Sequence, residues 1–478
     1  MGTRSRKPAA TRTGSRFPGW LVALTLLGVA VRLIVLLLAG DLQPHADESN
    51  YLYLAACWNH FGFYSDAVYY LWPPAYPFVV AVALDWFGAG GVFALKLFQV
   101  LVSGLLGAVI MLTALRLFNR RAAVIAGAVW ACYLPLIGFT HYLWPETIFL
   151  AVFAASVYLF LIWWQEAEDA DTHPFRLLGA GVLFGVGLLI KEVALYLCPV
   201  LCVLVILRRT RLSLQNRLSS AVLFVLSVAV VVAPWTLRNH EVYGRFVPVG
   251  ATLGKNVYMG LNAYYYNLDY PSRHRPQLAE ANDSLQKLLV GDPPPAWLPD
   301  NKPNIIDRLT RSTQQGLEFA RQHPGYTARS RVKRVADWVA PTSFFLRHYG
   351  LGRYQGVLAE PGLRRPLFIA AVFLPVLVLI GAIPGLLLAL RDPTGRMLLI
   401  TIVVYVAVAA APLMGMSRYR LMIDPFLIVA ASGFAAGFGR PWWTRKAAAI
   451  CVVAAWLVLA ILWWIDCREV IEYLTMVW

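Results

Sequence analysis

About eleven apolar runs recur along the 478-residue chain, set apart by charged or Pro- and Gly-rich breaks: 20–39, 91–115, 122–140, 147–164, 176–190, 192–207, 218–236, 367–390, 397–415, 421–439 and 447–465. A hydrocarbon core about 30 Å thick takes roughly 20 apolar residues of helix, and in lipid the backbone must satisfy its own hydrogen bonds. Runs of this length without period-2 alternation are therefore expected as transmembrane helices. The pair 176–190 and 192–207 is short and reads equally as one interrupted unit. With 59% hydrophobic against 14% charged residues, the chain is too apolar for a soluble domain of this size. The expected class is an all-α polytopic membrane protein.

The net charge of +16 would suit a nucleic-acid partner, but its distribution argues for a bilayer instead. The tail carries Arg4, Arg6, Lys7, Arg12 and Arg16, and alternate loops carry Arg116/Arg120/Arg121, Arg208/Arg209/Arg211/Arg217, Arg391/Arg396 and Arg440/Arg445/Lys446. This is the positive-inside pattern, with the N-terminus inside and the C-terminus outside. The loop "QEAEDADTHP" departs from it, but acids weigh little in orientation. The first run is longer than a signal-peptide h-region and lacks an A-x-A-like exit, so it reads as a retained anchor. Six cysteines are scattered without metal-ligand spacing.

The expected organisation is a cytoplasmic basic tail (1–19), an N-terminal transmembrane module (20–240) with a first extracytoplasmic loop at 40–90, and an extracytoplasmic segment (241–366). C-terminal spans (367–465) and an outer tail (466–478) complete it. Within the second outer segment, apolar positions recur at helical spacing around Pro324, beside Arg329, Arg331, Lys333 and Arg334. That pattern suits an interfacial helix and equally a solvated basic face.

Under this topology the unusual polar residues converge on the outer level. Asp47 and Glu48 follow the first span, Glu146 the third, and Lys191-Glu192 lies at the outer end of the fifth. Arg238 ends the seventh, and Arg418, Arg420 and Asp424 join the ninth and tenth. A charge at one helix end is commonly an interfacial anchor; several clusters at one level favour a site. A carboxylate can deprotonate an attacking hydroxyl or amine, while Arg and Lys stabilise a departing phosphate. Aromatics of the same loops, Tyr51, Tyr69, Tyr70, Trp72 and Tyr419, are expected to line a substrate. The arrangement suits sugar transfer from a lipid-linked phosphate, because inward loops carry no Walker or Rossmann glycine pattern for a nucleotide. Arg32, midway along the first span, is expected to snorkel or pair within the bundle. His45 and His141 beside Asp47 and Glu146 leave a divalent cation open, with no metal ligand assigned.

The order "HADESNYLYLA", "WPPAYP", "APWTLRNHEVYGRFVPVG", "SRYRLMIDPFL" resembles bacterial GT-C glycosyltransferases of the protein-mannosyltransferase-like (family 39-like) group, and more distantly the lipid A aminoarabinose transferases. The resemblance implies a GT-C fold, a polyprenyl-phosphate-sugar donor, inversion at the anomeric carbon, and a lipid, glycan or protein acceptor. It places the general base at Asp47 with Glu48 in support, and matches Glu146 to an acidic position of the second outer loop. In the aminoarabinose branch a Lys contacts donor phosphate where this chain has Trp72. The phosphate role therefore falls to Arg238, Lys191, Arg418 or Arg420, with Arg238 and Arg420 the leading pair because each follows a Pro-Trp or Arg-Tyr element at a span end. A transporter or flippase of a lipid-linked saccharide would also need such cations, yet no repeat relates the two halves. A glycan ligase with a diphosphate donor would share the fold.

The topology has a direct test. On a cysteine-free background, cysteines at Ser65 and Gln277 should react with an impermeant reagent in intact cells or spheroplasts. Labelling only after the membrane is lysed would invert the orientation.

Overall fold

The computed structural model describes residues 18–477, apart from 41, 43, 45–46, 63–70, 169–171, 209, 253–255, 258–259, 262–303, 351, 391, 411–416 and 438–445. Ser65 and Gln277 lie outside the described residues. The described chain is helical throughout, with no strand: Gly19–Leu38 (α1), Asp47–Phe61 (α2), Ala75–Phe87 (α3), Gly91–Leu117 (α4), Arg120–Cys132 (α5), Leu134–Gly138 (α6), Glu146–Glu166 (α7), Pro174–Ile190 (α8), Leu197–Leu207 (α9) and Leu214–Tyr243 (α10). Beyond the second loop follow Asn304–Gln322 (α11), Pro324–Val339 (α12), Phe344–Gly350 (α13), Pro361–Ala389 (α14), Pro393–Ala410 (α15), Ser417–Arg420 (α16), Asp424–Ala436 (α17) and Lys446–Val477 (α18).

Local chemistry sets several boundaries. The Asn119 side chain accepts from the Ala122 amide to cap α5, and Ser213 does the same for Asn216 at α10. Proline opens α8, α12 and α14, where its missing N–H is no loss. Gly244, at φ +61°, ends α10 in the left-handed region that favours glycine.

Every one of the eleven apolar runs contains a helix, and the chain is a multi-pass membrane protein. Among the described residues, six segments are long and apolar enough to span: Gly19–Leu38, Ala75–Leu117, Glu146–Glu166, Leu214–Tyr243, Pro361–Ala389 and Ala448–Ile465. Pro174–Ile190, Glu192–Leu207, Pro393–Ala407 and Asp424–Ala436 are shorter, so length alone does not support eleven crossings. The 40–90 loop is also less loop-like than expected. Its end, "AYPFVVAVALDWF", forms the apolar helix α3, which packs on both α2 and α4.

The N-terminal core gathers α1, α4, α5, α7, α8 and α10, while α17 joins it to α14. Trp130 of α5, with no exposed surface, fills a slot between α1 and α4 where Gly28 and Gly107 supply no side chain. Arg32 lies over that indole, 4.1 Å from its ring centre. Its guanidinium donates to the carbonyls of Gly28 (3.0 Å), Trp130 (2.9 Å) and Ala131 (3.4 Å). Arg32 therefore pairs within the bundle rather than snorkelling out.

A Cβ on Gly107 would stand 2.6 Å from the Trp130 ring, inside any allowed contact. Gly107→Ala should cost about 1–3 kcal/mol through overpacking, read as a lower unfolding temperature in detergent. An unchanged transition would show that the α1–α4–α5 slot is looser than this packing.

Candidate functional site

Four remote segments meet at one end of the bundle. α2 contributes Asp47 and Glu48 in its first turn, where carboxylates face the positive pole of the helix. α7 contributes Glu146 at its own first turn, the break after α8 contributes Lys191, and α16 contributes Arg418.

Arg418 is the hub. Its Nη1 donates to Asp47 Oδ2 at 2.5 Å and its Nε to Glu146 Oε1 at 2.5 Å. Lys191 Nζ reaches the same Glu146 oxygen at 2.5 Å. The guanidinium rests on Trp144, 4.1 Å from the ring centre, and Lys191 stands 6.0 Å from the Tyr419 ring. Burial works against the Arg418 charge, but the Glu146 and Asp47 carboxylates outweigh it and hold its pKa well above the ordinary arginine value. The two acids differ in access: the Asp47 side chain is 24% exposed, that of Glu146 only 3%. Glu146 Oε2 is buried without a hydrogen-bond partner among the described residues.

Glu48 has a different set of contacts. Its Oε1 accepts from the Leu143 amide at 2.9 Å, and its Oε2 pairs with Arg353 Nη2 at 3.1 Å. Glu48 thereby ties α2 both to the turn before α7 and to the segment after α13. His348, bonded to Arg353, packs on Trp144 and Tyr142, and the Tyr142 and Tyr354 hydroxyls share a 2.8 Å hydrogen bond. Arg353, Trp144 and His348 carried no sequence signal. They lie outside the acid and cation clusters, and only tertiary contact reveals them.

The other expected site residues are placed as follows. Tyr51 is buried against Trp72 (ring centres 5.0 Å apart) and Tyr76 (4.9 Å), close to Asp47. Tyr69, Tyr70 and His45 lie outside the described residues. Two of the four expected phosphate cations are not in the cluster. Arg420, 1% exposed, donates from Nε to Asp424 Oδ1 at 3.1 Å and from Nη1 to the Trp338 and Ala340 carbonyls, while Tyr133 donates to Asp424 Oδ2 at 3.1 Å. These contacts brace α12 against α17, apart from the Asp47 and Glu146 carboxylates. Arg238 sits over Trp235 and Tyr243 (4.7 and 5.6 Å) and bonds Asn239, whose amide holds the 247–249 backbone.

Glu192, by contrast, works on the backbone: its carboxylate accepts the amide and hydroxyl of Thr252, beside the Ala251-to-Leu71 hydrogen bond (3.1 Å). As for a cation, no group of three or more His, Cys, Asp and Glu side chains that could hold a metal exists among the described residues. The His141 ring stands instead 3.2 Å from the Arg32 carbonyl inside the core.

Comparison with known proteins gives the fold. Residues 72–236 match the family model described as dolichyl-phosphate-mannose-protein mannosyltransferase. No curated protein matches significantly. Among solved structures, the oligosaccharyltransferase of Archaeoglobus fulgidus in complex with Zn and sulfate is 15% identical with a TM-score of 0.51, over 93% of this chain and 52% of that one. The archaeal oligosaccharyltransferase AglB from Archaeoglobus fulgidus, in complex with an inhibitory peptide and a dolichol-phosphate, gives 16%, 0.51, 94% and 55%. ArnT from Cupriavidus metallidurans bound to undecaprenyl phosphate gives 18%, 0.38, 88% and 78%. The chain spans about half the length of the oligosaccharyltransferase structures it matches. Its fold is that of the GT-C superfamily, with a protein-mannosyltransferase-like relation.

Removing one partner of a buried ion pair strands the other charge. Arg353→Met should therefore destabilise the protein by about 3 kcal/mol, seen in thermal unfolding, and Glu48→Gln/Arg353→Met should recover most of the loss. Equal stability of Arg353→Met and the parent would remove the pair from the structural account.

Proposed function

We propose that this protein transfers a sugar from a polyprenyl-phosphate donor to a hydroxyl- or amine-bearing acceptor at the outer face of the membrane, with Asp47 as general base. The observation that carries the reading is the Asp47–Arg418–Glu146–Lys191 network, in which two acids and two cations from four segments stand within hydrogen-bond distance. The GT-C fold and the family match over 72–236, a stretch that includes Glu146 and Lys191, support it. Asp47 and Arg418 lie outside that stretch, so their part rests on geometry. An archaeal enzyme of the same fold was solved with a dolichol-phosphate, which agrees with a lipid-phosphate donor.

In the proposed reaction the acceptor oxygen or nitrogen attacks the anomeric carbon opposite the phosphate, inverting it in a single displacement. The C–O bond to phosphate breaks as the new bond forms, and the acceptor proton passes to Asp47. Of the three acids, Asp47 alone combines hub contact with a quarter of its side chain open to a substrate. Lys191 and Arg418 retain N–H donors beyond those they give to the carboxylates, and these can meet the phosphate oxygens. Trp72 and Tyr51 form an aromatic wall beside Asp47 suited to a sugar face. Burial and two fixed contacts suit Glu48 to orienting the first turn of α2. The positive-inside charge pattern supports an outward orientation of this end of the bundle, in a plasma or inner membrane.

The test is turnover in proteoliposomes with a panel of polyprenyl-monophosphate sugars. General-base help is worth about 10²- to 10⁴-fold, so Asp47→Asn should lose about that factor in turnover while still binding donor. Glu48→Gln should be milder. Near-normal turnover by Asp47→Asn would move the base to Glu146 or Glu48, and a panel without a donor would sink the reading itself.

A further inference from the structure

Arg418 holds its acids differently from the enclosed arginines of this protein. Arg32 and Arg420 spend donors on main-chain carbonyls, which cannot move away. Arg418 instead bonds two carboxylates with separate nitrogens, Nη1 to the partly exposed Asp47 and Nε to the buried Glu146, and rests on the face of Trp144. Glu146 is in turn fixed by Lys191 at the same oxygen. One end of this bridge is anchored and the other is exposed. An indole face gives a cation attraction with little directional preference, so the guanidinium can rotate across it without losing the contact.

We propose that Arg418 is a charge relay between base and leaving group: anchored on Glu146 through Nε, it passes its Nη donors from Asp47 to the donor phosphate as the reaction proceeds. This rests on the glycosyl-transfer reading. The balance of the step requires such a transfer of negative charge. The donor phosphodiester carries one negative charge and Asp47 another. When the acceptor attacks, its proton neutralises Asp47, and the electron pair of the broken C–O bond leaves a second charge on the polyprenyl phosphate. The negative charge thus disappears at Asp47 and appears on phosphate. A guanidinium spanning both positions stabilises it at each end, whereas a cation fixed on one side would favour reactant or product alone. Lys191, held to Glu146, supplies the constant positive charge, and Tyr51 and Tyr419 lie near Asp47.

The consequence is a competition: in the resting protein Asp47 holds Nη1, and a lipid phosphate that takes Nη1 along with the unused Arg418 donors must displace it. The test is the affinity of the full chain in nanodiscs for undecaprenyl phosphate, the product-side probe, for the parent, Asp47→Asn, Arg418→Gln and the double variant. Releasing Arg418 from Asp47 should make Asp47→Asn bind the phosphate about tenfold more tightly, and that gain should vanish on the Arg418→Gln background. Tightening of the same size on both backgrounds would mean only that a nearby negative charge had been removed, and would overturn the relay. So would no tightening. Should Arg418→Gln not fold, infrared difference spectra of the unaltered chain decide: adding undecaprenyl phosphate should shift a carboxylate band that Asp47→Asn lacks, and an unshifted band overturns the proposal. Absence of saturable binding to every chain would instead overturn the donor assignment and the relay with it.

Discussion

Charge at the margin of a bilayer must find its counter-charge inside the protein, and this constraint organises the site end of the molecule. A lone charge at membrane depth costs several kcal/mol, and one left unpaired in a packed interior costs a similar amount. The counter-charges here come from far along the chain. Arg418 answers Asp47 across 371 residues and Arg353 answers Glu48 across 305. No single hairpin can form such a site. It exists only when α2, α7, α16 and the segment after α13 are already packed, so the chemistry depends on the closure of the whole bundle.

Burial and acceptor type together set these cations apart: the Arg32 and Arg420 side chains are enclosed, whereas those of Arg418 and Lys191 are 14% and 19% exposed. Arg32 and Arg420 are fully enclosed and largely satisfied by carbonyl oxygens of α1, α5 and α12. Those oxygens are fixed by helix geometry, so the side chains act as rivets between helices. Arg418 and Lys191 meet carboxylates and aromatic faces, partners that a phosphate can replace. The same reasoning sorts the acids. Glu48, Glu192 and Asp424 each hold main-chain or enclosed groups, while Asp47 keeps surface for a substrate.

Much of this was legible in the sequence, and the illegible part has a physical cause. Apolar run length shows which segments are helices, because lipid permits little else, and charged residues at run ends marked Asp47, Glu146, Lys191 and Arg418. The sequence favoured Arg420 over Arg418 for the phosphate, whereas it is Arg418 that meets Asp47 and Glu146. Two positions apart on a helix, they project to nearly opposite sides, and only the neighbours decide which faces the acids. Arg353 was invisible because its partner lies in another loop and no period links them. The helix Ala75–Phe87 was read as loop because the prolines before it and the glycines after it hide a 13-residue apolar helix.

The electrostatic design has a last consequence for how a low-dielectric pocket can accept an ionic reaction. Asp47, Glu146, Lys191 and Arg418 sum to zero, and Glu48 with Arg353 does as well, so the pocket is neutral before substrate arrives. A phosphodiester donor would bring one negative charge. On the proposed chemistry, proton transfer to Asp47 accompanies the gain of charge on the leaving phosphate, and the total stays at one negative charge from bound donor to bound product. Reorganisation is then confined to charge moving within reach of one guanidinium. A site built this way does not need bulk water to screen the intermediate stage, which is consistent with its walls being Trp144, Tyr51, Trp72 and Tyr419 rather than solvent.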